Sequence, residues 1–329
     1  MEGLIRFFPQ VCDNPPGYFP VPAVFMQRIH SSLNSDLSFS RIAFGLWRLT
    51  DWGYCPQERL ALFEQMLDLG VTTFDLADIY GSYRCEQFFG EALKLKPALR
   101  ERMEIVSKCS IRLAGEASGA SINHYDTSPA HVRRAVETSL HDMGIEQMDL
   151  LLLHRPDPLM DAEALAEVLE QLVAEGKVKH LGVSNYLPHQ TDLLQSRLSR
   201  PLVANQIEVS LLHSQPMFDG QLDYCQQHKI IPMAWSPFAG GRLFSGEDVD
   251  AARVQQSLRL LSEARGLSAD SGVMQLALAW LLKHPAQMVP VLGSGNPERL
   301  VAALKALDLE LDREEWFELL RAGRGRDVD

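Results

Sequence analysis

The chain has 329 residues, 46% of them hydrophobic, with 31 Lys and Arg against 43 Asp and Glu, a formal charge of -12 and a pI near 5.3. This composition excludes a disordered or fibrous protein, and the acidic balance leaves no extended basic surface for a nucleic-acid backbone. No apolar run approaches the roughly 18 residues of a membrane-spanning helix, and one α/β domain can use this whole length.

Residues 1–25, with PPGYFPVP at Pro15–Pro22, predict an irregular extension, because proline ends helix and strand alike. The start Met-Glu-Gly-Leu-Ile-Arg lacks the order of a secretory signal. The cysteines Cys12, Cys55, Cys85, Cys109 and Cys225 are odd in number and form no Cys-x-x-Cys pair. A chain this size needs no disulfide staples, so they read as thiols of a reducing, cytoplasmic compartment. Cys109, although next to Lys108, reads as an inert half-buried thiol.

From Met26 onward, two alternating runs, Met26–Asn34 and Asp36–Arg41, predict a hairpin capping one end of the fold. Ile42–Trp47 is the first expected strand, followed by the helix Pro56–Asp68. The alternation continues with strand Thr72–Asp75, helix Arg84–Leu95, strand Glu104–Ser107 and helix Ser128–Met143. In that last helix Ser128 suits the cap, Pro129 the first turn and Gly144 the stop. Next come Asp149–Leu153 with Asp161–Ala174, Val178–Val183 with Pro188–Ser196, and Val203–Val209 with Gly220–Gln227. Ile231–Trp235 leads through a long loop to Asp270–Lys283, and Val289–Leu292 to Pro297–Leu307 and a tail helix around Arg313–Arg321.

Eight strand–helix units without a break in composition predict a (β/α)8 TIM barrel over residues 26–329, with an N-terminal β-hairpin and a C-terminal tail helix. Strands such as Leu150–Leu153 are continuously apolar, as burial on both faces requires. A doubly wound sheet would call for an early Gly-x-Gly-x-x-Gly loop, and the chain has none.

In such a barrel the C-terminal strand ends share one face, which makes Asp75, Tyr80, Lys108 and His154 a single constellation. A phenol titrates near pH 10, and a neighbouring ammonium stabilises its phenolate while a carboxylate holds the ammonium in place. Tyr80 is therefore the expected acid, Lys108 the charge that tunes it and Asp75 the anchor. The imidazole of His154, before the rigid start Arg155-Pro156, can orient a carbonyl by hydrogen bonding. The ten histidines are dispersed, and neither His-Glu-x-x-His nor paired cysteines signal a metal. A carbonyl polarised in this way needs a hydride, which side chains cannot supply and a nicotinamide can.

FDLADIYG at Phe74–Gly81, SK at Ser107–Lys108, LLLLHRPDP at Leu150–Pro158, GVSN at Gly182–Asn185, NQIE at Asn205–Glu208, AWSPFAGGRL at Ala234–Leu243 and GSGNPERL at Gly293–Leu300 follow one another in order. By these motifs, from about Met26 to Arg321, the chain resembles the aldo/keto reductases, in particular the bacterial oxidoreductases related to potassium-channel beta subunits. The resemblance implies NADPH-dependent carbonyl reduction with the four residues above as its tetrad. It further implies that Ser184, Asn185 and Gln206 hold the carboxamide of the nicotinamide, and that Trp235 stacks on the ring.

By the same likeness Ser236, Pro237, Gly240, Gly241 and Arg242 meet the pyrophosphate, and Gly293, Ser294 and Arg299 the 2'-phosphate, where Pro297 opens a helix whose N-terminus favours anions. Gly293 stands where many relatives carry lysine, which leaves Arg299 as the remaining cation there. Trp47, Trp52, Tyr54 and Arg155 are the expected substrate wall for a small-molecule aldehyde, ketone or quinone-like carbonyl. A monomer or weak homo-oligomer is expected. A non-catalytic, cofactor-binding subunit is the alternative that the channel relatives imply.

Overall fold

The computed structural model describes residues 26–245, 248–269 and 271–327; the expected extension 1–25 lies outside them. Two short antiparallel strands, β1 (Arg28–His30) and β2 (Ser38–Ser40), precede the first barrel strand, β3 (Ala43–Gly45). The others are β4 (Thr73–Asp75) and β5 (Glu104–Cys109), then, after a rim ribbon of β6 (Ile111–Arg112) and β7 (His124–Tyr125), β8 (Met148–Leu153), β9 (Val178–Ser184), β10 (Leu202–Glu208), β11 (Ile231–Trp235) and β12 (Val289–Leu292). The eight barrel strands close in the order β3-β4-β5-β8-β9-β10-β11-β12, with every pair parallel. The expected barrel and hairpin are both present.

Because a strand's side chains alternate, one parity of each strand fills the interior. Ala43, Val106, Leu150, Leu152, Ala204, Met233, Val289 and Val291 form the apolar middle of the barrel. One step toward the C-terminal ends on the same parity stand Asp75, Lys108, His154, Ser184, Gln206 and Trp235. The other parity, including Phe74, Ile105, Leu151 and Leu153, packs under the helices. The interior is tight: a Cβ on Gly182 would lie 2.6 Å from Leu152 Cδ2 and 2.7 Å from the Ala204 carbonyl oxygen. Below the apolar middle, Arg28 donates to Glu104 at 2.6 Å and Asn34 meets His180 at 3.3 Å, so the hairpin plugs the N-terminal end.

The helices begin where their caps dictate. Ser128 accepts from the His131 amide at the head of Pro129–Met143, and Asp161 accepts from Glu163 and Ala164 at the head of Ala162–Ala174. The expected long loop after β11 holds a 16-residue helix, Val249–Ala264, capped by Asp248. Its buried stripe of Ala251, Val254 and Leu258 also contains Gln255 and Ser262, and this polar content obscured the helical period. The helix expected from Arg84 starts at Cys85, because Gly81, Ser82 and Tyr83 take left-handed backbone angles just before it.

The tail helix runs Arg313–Arg324. Trp316 stacks on Trp280 of the helix Gly272–Leu282, with ring centroids 5.2 Å apart and planes 12° from parallel. Each indole N–H donates to the other residue's carbonyl, at 3.1 and 2.9 Å. Among the described residues no helix is long and apolar enough to cross a membrane, and no cluster of side chains is arranged to hold a metal. Cys85, Cys109 and Cys225 are free and buried, whereas Cys55 is disulfide-bonded. The expectation of thiols throughout rested on spacing along the chain, which does not report proximity in space.

Candidate active site

Register brings the polar strand ends together. Asp75 on β4 lies opposite Val106, two residues before Lys108 on β5, and Leu153 on β8 pairs with both Cys109 and Val183. The Lys108 ammonium is wholly buried and donates to Asp75 Oδ1 at 2.8 Å, to the Leu76 carbonyl at 2.6 Å and to Tyr80 Oη at 3.1 Å. Its three protons are thereby used. Since an ammonium only donates, the Tyr80 oxygen accepts from Lys108, and its own hydrogen is left to point elsewhere. Asp75 Oδ1 also accepts from Gln206 Nε2 at 2.7 Å.

From Gln206 a second chain of bonds crosses the mouth. Ser184 Oγ donates to the Gln206 carbonyl at 2.9 Å and accepts from Asn185 Nδ2 at 2.8 Å, and Asn185 Oδ1 accepts from Trp235 Nε1 at 3.0 Å. Asn185 and Ser236, each just past its strand, adopt left-handed backbone angles with φ 58° and 49°. Such conformations cost energy in residues other than glycine and persist where the surroundings fix them.

Burial governs the electrostatics. It pushes the Tyr80 phenol above its ordinary value, and the nearby Lys108 charge pulls the other way without prevailing. The sequence expectation that Lys108 nets a lower phenol pKa is therefore reversed here, because desolvation is the larger effect. Burial also acts against the Lys108 charge, but Asp75 and Tyr80 outweigh it and hold the ammonium above its usual range. His154 is held well below the usual imidazole value by burial first, then by Lys108 and Arg155, so its ring is neutral. Its edge faces Tyr80 at 5.8 Å between centroids, and its Nδ1 is buried without a partner. Behind β5, Glu86 accepts from Ser107 Oγ at 2.5 Å, and burial raises its carboxyl to about 7 against the hydrogen bonds from Ser107 and Ser139. Cys109 is fully buried, and that burial pushes its thiol up, an inert setting.

A cavity of about 440 Å³ opens above this floor. Of the sequence-predicted residues, Asp75, Tyr80, His154, Ser184, Asn185, Gln206 and Trp235 line its inner part. Ser236, Pro237, Gly240 and Gly241 line one flank; Gly293, Ser294 and Arg299 line the other; Trp47 and Arg155 stand at the mouth. The Arg155 guanidinium lies 5.3 Å from the Trp235 ring centre. Lys108, wholly buried, lies beneath this lining, and three other expected residues fall elsewhere. Arg242 is turned to an ion pair with Asp248. Trp52 stacks on Phe44 at 5.8 Å, and Tyr54 donates to the Gly295 carbonyl at 2.8 Å, so neither forms substrate wall.

The sequence reading missed Arg48, Ile79, Ile111, Phe238 and Phe244, which also line the cavity. Phe238 and Phe244 flank the glycines of the segment already singled out, and that neighbourhood was the available signal. Ile111 had none, since the rim ribbon that carries it is too short to show a period.

Residues 41–322 match the model of the aldo/keto reductase family. The "6-dehydroglucose reductase" of Agrobacterium fabrum is 47% identical over 305 residues, 92% of this chain and 100% of the relative. "Oxidoreductase YdhF" of Escherichia coli is 47% identical over 290 residues, 88% of this chain and 95% of the relative. Among solved structures, an aldo/keto reductase from Klebsiella pneumoniae in complex with NADP and acetate superposes with a TM-score of 0.72 at 28% identity, covering 89% of this chain and 94% of that one.

Proposed function

We propose that this chain, which belongs to the aldo/keto reductase family and is an NAD(P)H-dependent oxidoreductase, reduces aldehydes or ketones to alcohols with NADPH, Tyr80 giving the proton. The observation that carries the reading is the bond from Lys108 to Tyr80 Oη, which leaves the phenolic hydrogen free for a carbonyl oxygen.

The residues present fit a nicotinamide dinucleotide: a flat indole beside amide and hydroxyl groups at the centre, exposed glycine backbone on one flank, and Arg299 at a helix N-terminus on the other. When bound, NADPH supplies the hydride. Asn185 and Ser184 present amide and hydroxyl to a carboxamide, with Gln206 offering its amide oxygen while its nitrogen stays on Asp75. Trp235, fixed through its N–H by Asn185, offers its face to a ring.

Tyr80 and His154 converge on the carbonyl oxygen. A raised phenol pKa keeps Tyr80 protonated at neutral pH, ready to donate, and the Lys108 ammonium then stabilises the phenolate that donation leaves behind. Because His154 is neutral and its Nδ1 has no partner, its proton can sit on Nε2 and orient the carbonyl.

Arg299 is exposed and, among the described residues, its guanidinium makes no ion pair, which leaves it open to the 2'-phosphate that separates NADPH from NADH. The carbonyl is expected at the Trp47–Arg155 side of the cavity, which pairs an apolar wall with the guanidinium of Arg155 and, 5.2 Å from the Trp47 ring centre, that of Arg48. Sugar aldehydes belong among the candidates, since relatives in Agrobacterium fabrum and Novosphingobium aromaticivorans, the latter 35% identical, are named as 6-dehydroglucose reductases.

Steady-state oxidation of NADPH and of NADH with aldehydes, ketones, dicarbonyls and 6-dehydroglucose tests the reading. Turnover with several carbonyls and a preference for NADPH is the expected result. Tight NADPH binding without turnover of any of them overturns it in favour of a binding-only subunit.

A further inference from the structure

Trp52 and Tyr54, expected in the substrate wall, instead hold the loop between β12 and the helix Pro297–Leu304. Tyr54 Oη donates to the Gly295 carbonyl at 2.8 Å. The Trp52 indole lies so close beneath Gly295 that a Cβ there would sit 2.6 Å from two of its ring atoms. That indole cannot retreat easily. It also stacks on Phe44, a core residue of β3 with 1% exposure, at 5.8 Å and 22°, and Tyr54 packs against it at 6.3 Å.

A rigid column therefore runs from the barrel core through Phe44 and Trp52 to Gly295, with a hydrogen bond beside it. Gly295 is flanked by Ser294 and by Asn296, whose side chain accepts from the Arg299 amide at 2.9 Å. The column thus sets the height of the loop on which Ser294 and Arg299 stand. With glycine at position 293 the loop has no lysine there to supplement Arg299. Where one guanidinium must meet a phosphate, placement decides how much of a two-pronged contact forms.

We infer that Trp52 and Tyr54 are positioning residues for cofactor discrimination: they fix the Gly293–Arg299 loop at the height where Ser294 and Arg299 meet a 2'-phosphate. The inference rests on the reading of that loop as the 2'-phosphate site. A phenol-to-carbonyl bond and a glycine seated on an indole have no reason to affect NADPH more than NADH unless they act through that contact.

The test measures dissociation constants of NADP+ and NAD+ by calorimetry on the parent, Tyr54→Phe, Gly295→Ala, Arg299→Ala and the double variant Tyr54→Phe/Arg299→Ala. Arg299→Ala is expected to weaken NADP+ about tenfold and leave NAD+ within about twofold. Tyr54→Phe, which keeps the ring and its packing, should weaken NADP+ about threefold, and Gly295→Ala about tenfold, again with NAD+ within about twofold. In the double variant most of the Tyr54 effect should vanish, because the contact it serves is already gone.

Equal losses for both cofactors in Tyr54→Phe, or additive losses in the double variant, overturn the inference while leaving Arg299 as phosphate reader. An unchanged NADP+ constant in Arg299→Ala has a different pattern: it removes the phosphate site itself and this inference with it. Tyr54→Phe alters one hydrogen bond, so these outcomes remain readable even if Gly295→Ala does not fold.

Discussion

The floor of the cavity and its rim are built on opposite plans. On the floor, Asp75, Lys108, Tyr80 and Gln206 bond to one another with the ammonium wholly buried, before any ligand arrives. On the rim, Arg299 is exposed, and its loop depends on a hydrogen bond and a stacked indole from another segment. A wired floor costs no reorganisation when charge develops on a carbonyl oxygen. A rim cation facing solvent is screened and contributes little until a phosphate encloses it. On the proposed reading, chemistry is settled in advance, while cofactor choice hangs on small placements.

The severest way to break that contrast is Lys108→Met. It leaves the Asp75 carboxylate buried with Gln206 as its remaining side-chain partner, and losing one member of a buried ion pair costs about 3–5 kcal/mol. Turnover should fall at least about 100-fold alongside the lower urea midpoint, since the charge that stabilises a Tyr80 phenolate is gone. A midpoint and a pH–rate profile equal to the parent's would mean the floor is not wired as described.

Tyr80→Phe sharpens the same point without the burial penalty. Carbonyl reduction should drop at least about 100-fold while NADPH affinity stays within a few-fold. Retained turnover would remove Tyr80 as the acid. Tyr83, its nearest tyrosine in sequence, does not line the cavity; its hydroxyl lies against the Leu113 amide, from which it accepts at 2.8 Å.

On the rim the effects should be smaller. Arg299→Ala is expected to raise the KM for NADPH about tenfold and leave that for NADH nearly unchanged. Equal rises for both cofactors would make Arg299 a support of its loop and erase the difference between floor and rim.

For Glu86, wedged behind the floor against Ser107, the expected readout is stability rather than turnover or cofactor affinity. Its carboxyl, raised in the folded protein from 4.5 to about 7, contributes stability that is full below pH 4.5 and lost as pH rises through 7. His154, depressed by burial, works in the opposite sense: its contribution is present above the unfolded imidazole value of 6.5 and fades as pH falls. Glu86→Gln should therefore gain stability relative to the parent as pH rises from 5 to 8. Urea midpoints of both proteins across that interval check it, and parallel curves would show that Glu86 does not titrate there.

Most of the barrel was legible because its signals are local. Proline, serine and glycine marked the limits of Pro129–Met143, and continuous apolar runs marked β8. The floor was legible for a related reason: period-2 alternation carries Lys108, His154 and Gln206 onto the same parity as the apolar interior. What escaped was decided by distance in space. Nothing in the sequence near Trp52 says that Gly295, more than two hundred residues on, lies against it. Arg242 looked like a phosphate ligand until Asp248 claimed it. The net direction of the Tyr80 pKa likewise depends on how deeply the ring is buried, which no motif records.

The paired indoles of Trp280 and Trp316 give the chain a second optical voice. Of its five tryptophans, these two lie parallel and in contact between the tail helix and the helix Gly272–Leu282, away from the cavity that Trp47 and Trp235 line. Stacked chromophores couple their transitions, so their near-ultraviolet circular dichroism should vanish when the tail helix undocks. Emission from Trp47 and Trp235, by contrast, should answer to ligands. One cuvette can therefore distinguish a variant that has lost its cofactor from one whose last helix has come away.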